Sequence, residues 1–135
     1  MMAKILPGTV FYGNVSDLAV NDNAQVRTTA GREVHDYHHF IVLLVTDTVS
    51  FMTPVYSNSG VQRVPLDRCF ATGGWMTHES FIHSRQVWRF LHDTLRYRFI
   101  EVGGYALGAP AEIRRLVQAI GNFEQDAWRP WPTAA

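Results

Sequence analysis

Hydrophobic and polar positions alternate and cluster along the chain in ways that define its elements. Phe40-Ile41-Val42-Leu43-Leu44-Val45-Thr46 is an unbroken apolar, largely β-branched run. Such a run predicts a central strand covered on both faces. Val49 to Tyr56 reads as a second strand, with Pro54 expected at an edge or bulge because proline cannot donate to a ladder. Thr9 to Tyr12 and Val61 to Leu66 read as shorter strands, and Ser57-Asn58-Ser59-Gly60 as a turn. Asn14 to Asp36 is polar with scattered apolar residues and reads as a long loop, with room for a hairpin, of a length that is often functional. Phe81 to Phe90 fits two periods. It alternates like a strand, yet Val87, Leu91 and Leu95 stack at helical spacing. Phe99 to Leu107 reads as a strand broken at Gly103-Gly104. The last element is a helix: Pro110 at its start, Glu112 in its first turn, an apolar stripe of Ile113, Leu116, Val117 and Ile120, and Gly121 as its stop.

The sum is a mainly β protein with a C-terminal α-helix, which suggests a small barrel or curled antiparallel sheet with a helix laid on it. With 135 residues there is room for one domain. Its expected parts are a barrel over about 5–107, a helix over about 110–121 and a Pro/Trp-rich tail over 122–135. The longest apolar run falls far short of the roughly 20 residues that span a bilayer, so no membrane partner is expected. The N-terminus lacks the apolar stretch of a secretory signal, and Cys69 is the single cysteine, so a cytoplasmic location is the expectation. Cys69 has no activating neighbour in sequence and is expected to be a buried, inert thiol. The 12 basic and 12 acidic residues balance, which argues against a strong nucleic-acid binder without excluding a local basic patch.

Two groups of residues carry possible chemistry. His35, His38 and His39 lie with Asp36 in five residues, a composition open to acid–base catalysis, phosphate contact, metal binding or a pH switch. Strand alternation sends His38 and His39 to opposite faces, which argues against a shared ion. The spacing fits no standard zinc pattern. The plain alternative is one packed imidazole and two solvated ones. In the second group, His83, Arg85 and Arg89 share one face if Phe81 to Phe90 is a strand. Proton transfer and phosphate binding are conceivable there, as is an ordinary polar outer face. Arg85, Arg89, Arg96 and Arg98 lie near Trp88, Phe90 and Tyr97. They form either a phosphate-facing stripe or core aromatics with solvated arginines, the second reading being favoured.

The order of elements resembles the MazF/PemK (Kid-like) toxin family. Leu6-Pro7-Gly8-Thr9-Val10-Phe11-Tyr12 is similar to that family's opening strand, and His39-Phe40-Ile41-Val42-Leu43-Leu44-Val45 to its Arg-Pro-Val-Leu-Val strand. Pro54-Val55-Tyr56-Ser57 is similar to Pro-Ile-Thr-Ser, Glu79 to Phe90 to the Asp-Ser-apolar-apolar segment, and Leu107 with the helix to the closing elements. The resemblance implies an SH3-like small β-barrel, with Phe81 to Phe90 as strand and Leu91 to Tyr97 as a short helical turn. It implies a homodimer and a metal-independent endoribonuclease of toxin–antitoxin type, with no cofactor, single-stranded RNA as substrate and a protein antitoxin as partner. The family's catalytic positions fall on changed residues. His39, His83 and Arg85 become the expected catalytic groups, with Arg32, Tyr56, Ser57 and Arg89 binding substrate. A non-catalytic module of the same fold, binding a protein or RNA, is the alternative. A His-dependent metal protein is a third.

Overall fold

The computed structural model describes residues 4–15, 25–27, 37–84, 86–108, 111–120 and 129–130. Among these the chain is mainly β, a curled antiparallel sheet with two helices. The strands are β1 (Thr9–Asn14), β2 (Gln25–Arg27), β3 (Tyr37–Val45), β4 (Val49–Tyr56), β5 (Arg63–Pro65), β6 (Ala71–Thr72), β7 (Phe81–His83), β8 (Val87–Leu91), β9 (Phe99–Tyr105) and β10 (Arg129–Pro130). The helices are α1 (His92–Arg98) and α2 (Ala111–Ile120). The ladder runs β10-β2-β8-β4-β3-β1-β9-β6, with β7 joining β4 to β5.

The apolar run of β3 lies between β1 and β4, and Phe40, Ile41, Val42 and Leu43 are all buried. Their alternation feeds two cores. Phe40 and Val42 pack with Met52, Trp88, Phe90, Leu95 and Phe99 on one face. Ile41 and Leu43 pack with Val55, Ile82, Val87, Ile113 and Leu116 on the other. The first core is aromatic: the Phe40 ring meets Phe90, Trp88 and Phe99 edge-on at 5.3, 5.7 and 5.7 Å, arrangements that add to plain area burial. α2 covers the second face through Ile113 and Leu116, the stripe its sequence spacing predicts.

Several expectations change. Pro54 is not on an edge strand. Nor is it at the β3–β4 irregularity, which falls between Val42 and Leu44; it is buried inside β4, where the neighbouring strand changes from β8, paired through Met52, to β7, paired from Val55. A residue without an N–H fits the gap between two ladders. The segment over 81–90 is strand at both ends, but it is split into β7 and β8 by a turn at Ser84, so one alternation does not run through it. Cys69 is exposed rather than buried, in a short 3₁₀ turn whose Asp67 carboxylate accepts its backbone N–H at 2.9 Å. Two residues of the Pro/Trp tail, β10, pair with β2 at the sheet edge. β2 itself falls in the stretch expected to be loop.

Candidate functional site

Antiparallel pairing brings the start of β3 beside the ends of β1 and β4. Tyr12 pairs with His39, and Phe40 with Pro54. The segment after β6 then crosses this rim. Together they enclose a cavity of about 170 Å³ lined by Tyr37, His38, His39, Val55, Tyr56, Ser57, Trp75, Thr77, His78 and Ser80. That is small beside pockets for drug-sized ligands, and suits one ring or one phosphate group.

Trp75 forms one wall and is held from behind. Its indole N–H donates to the Gly104 carbonyl at 2.9 Å. Gly103 makes this seat possible, because a β-carbon there would lie 2.7 Å from the indole ring and collide with the Thr72 carbonyl. The strand expected to break at Gly103-Gly104 instead runs through both glycines, and their role is this close approach of backbone to Trp75. A register shift between Val10 and Phe11 in the β1–β9 ladder accompanies it.

His38 and His39 leave opposite faces of β3, as alternation requires, yet both reach the cavity because they stand at the sheet's rim. His38 Nδ1 lies 2.9 Å from the Val55 carbonyl. A carbonyl only accepts, so Nδ1 carries the hydrogen and Nε2 holds the lone pair of the neutral ring. The His38 ring meets Tyr56 edge-on at 5.5 Å. Tyr56 is fixed in turn: its hydroxyl donates to Gln86 Oε1, and the Arg63 guanidinium lies 3.5 Å over its ring. Gln86 is fully buried between β7 and β8, and its backbone N–H donates to the His83 carbonyl at 3.2 Å.

His39 lies between Tyr12, 4.6 Å away, and Trp75, 5.2 Å away. Burial against these rings lowers its pKa from the ordinary 6.5, and positive charge on His38 lowers it further. Both effects favour the neutral form of the His39 ring. On the far rim the Ser80 hydroxyl donates to the His78 carbonyl at 3.0 Å. His78 also borders a second, more open recess with Leu66, Asp67, Arg68, Met76 and Glu79.

Of the residues expected from sequence, His39, Tyr56 and Ser57 line the cavity. His83 does not. It is buried in β7, paired with Arg63 of β5. Arg89 is half-buried on β8 opposite Phe51, away from the cavity lining, where burial lowers its pKa. Arg85 and Arg32 lie outside the described residues. Trp88 and Phe90 are core, which removes two of the three aromatics from the proposed arginine stripe. Among the described residues no group of three or more His, Cys, Asp or Glu is placed to hold a metal ion. No helix among them is long and apolar enough to cross a membrane.

Sequence reasoning missed His38, His78, Trp75 and Tyr37 as lining groups. The dense histidine cluster was the signal for His38. Nothing local signals His78, which a separate segment brings to the rim. No family model, no curated protein and no solved structure matches the chain.

Proposed function

We propose that this chain is a metal-independent endoribonuclease of toxin–antitoxin type, on an SH3-like barrel of the MazF/PemK kind, with its acid–base pair at His38 and His39. The observation that carries the reading is the gathering of two imidazoles with unlike environments, and of hydroxyls, on one cavity. Groups whose surroundings push their protonation apart are suited to divide acid and base roles.

His39, held neutral, takes the proton of a ribose 2′-hydroxyl. The 2′-oxygen attacks the adjacent phosphorus and the bond to the 5′-oxygen breaks. His38, anchored through Nδ1–H, delivers its Nε2 proton to that leaving oxygen. The products are a 2′,3′-cyclic phosphate and a 5′-hydroxyl. Ser57 and Thr77 hydroxyls on the lining are the donors for the phosphate oxygens. In this reading a protein antitoxin silences the enzyme by covering the cavity, and the protein works as a cytoplasmic homodimer.

The test is incubation of the purified protein with single-stranded RNA of mixed sequence in EDTA, from pH 5 to 9, beside His38→Ala and His39→Ala. Expected are cyclic-phosphate ends and a fall of roughly 100- to 10,000-fold in each variant, the usual range for a positioned acid or base. Intact RNA at every pH with a folded, inhibitor-free protein would discard the reading in favour of a binding module.

A further inference from the structure

The cavity opens onto a row of four rings, of which the acid–base chemistry uses only His39. Tyr37 and Tyr12 are stacked, with centroids 5.5 Å apart and planes 20° from parallel. Tyr12 then meets His39, and His39 meets Trp75, so four rings follow one another across β1, β3 and the crossing segment. Tyr12 pairs across the sheet with His39 on one side and Ile100 on the other, which sets these side chains on one face. Among the described residues that face is open: Tyr37 is 60% and Ile100 64% exposed. Two large apolar side chains exposed beside a half-buried tyrosine need an explanation that core packing does not provide.

We infer that Tyr12 and Tyr37 form a stacking platform for the base next to the scissile linkage of a single-stranded RNA. The inference rests on the ribonuclease reading for the choice of RNA. Two features favour a nucleobase over a protein side chain. The row is a run of stacked and tilted rings that opens at Tyr37, 60% exposed, not a hole for an apolar anchor. It is continuous with the imidazoles, so a ligand on it must also present a reactive group to the cavity. A chain of flat bases on a phosphodiester backbone meets both conditions. Stacking on tyrosine is also tolerant of sequence, because every base has a π-face. The platform thus holds the strand in place while the cavity takes the linkage, and any base preference must arise at the cavity itself.

The experiment uses the full chain with two probes: a 2′-O-methyl single strand that cannot be cut, and its ribose counterpart. Alanine at Tyr12 or Tyr37 should weaken binding of the uncut strand by roughly 5- to 150-fold per ring, the fold-change that corresponds to ordinary base stacking. Tyr12→Phe and Tyr37→Phe, which keep the ring, should bind as the parent does, and this separates stacking from a folding defect. Ring-dependent binding without any cleavage of the ribose strand would support the platform and remove the ribonuclease reading. Cleavage and binding unchanged in both alanine variants would remove the platform and leave the ribonuclease standing. A dimer that becomes a monomer in Tyr37→Ala, with unchanged affinity for the strand, would assign the row to a second copy of this chain and overturn the proposal.

Discussion

At the scale of single residues the decisive pair is His38 and His39, adjacent in sequence but held by different partners. The Val55 carbonyl binds His38 Nδ1 and keeps that hydrogen bond in both charge states of the ring. Tyr12 and Trp75 surround His39 with aromatic surface that solvates an imidazolium poorly. Because His38 is the second cause of the lowered His39 pKa, His38→Ala should move the His39 midpoint up toward 6.5. It should stop short of that value, since the larger cause, burial, remains. Proton NMR titration of the His39 ring in both proteins reads this directly, and an unmoved midpoint would mean that the two rings do not sense one another. The same shift has a sign in stability. A histidine whose folded pKa lies below its unfolded one leaves the folded state with fewer bound protons as pH falls through about 6.5. Stability therefore drops with acidification across the window between the folded and unfolded values, and His39→Phe should flatten that slope in urea melts.

Elements decide where such residues end up. β3, β4 and α2 were legible because their side-chain period reports which faces are covered, and the structure places them over 37–45, 49–56 and 111–120. Residues 81–90 were not, because a break at Ser84 hides inside a segment that alternates on either side of it. That break has a use. It buries Gln86 where its side-chain oxygen accepts the Tyr56 hydroxyl, and Tyr56 in turn backs the His38 ring. Gln86→Leu removes this acceptor from a buried hydroxyl, a loss that costs about 1–3 kcal/mol. Gln86→Glu keeps an oxygen in place. We expect the leucine variant to unfold at a lower urea midpoint and to alter the His38 ring resonances. Unchanged His38 resonances with the lower midpoint would reduce Gln86 to a purely structural role. The site itself was half legible. His39, Tyr56 and Ser57 sit at strand ends that sequence order could locate. Alternation puts His38 and His39 on opposite faces, which argued against a shared ion and gave no sign that both would line one cavity. At a curled rim both faces open on one cavity, and curvature is a property of the whole sheet that no local pattern records.

For the whole molecule the consequence is a single sheet with a core on each face, and central strands that serve both. β3 sends Phe40 and Val42 to the aromatic core and Ile41 and Leu43 to the core under α2. β4 does the same with Met52 and Val55. Loosening one core must then loosen the strands that support the other, so the two should not unfold separately despite their physical separation. Leu116 tests this, since it is buried under α2 and belongs only to the second core. Leu116→Ala should cost about 2–5 kcal/mol, the range for emptying a leucine site in a packed interior. Trp88 reports the first core and Trp75 the second, so variants that retain only one of them as the tryptophan reporter follow each face by fluorescence. Both reporters should shift to the same lower urea midpoint when Leu116→Ala is added. If Trp75 moves while Trp88 holds its parental midpoint, the cores are independent. The cavity at the β3–β4 rim would then belong to a unit that opens without the rest. If both move together, the rim that holds His38 and His39 is as stable as the sheet itself, and the imidazole pair is held by global folding free energy rather than by local contacts.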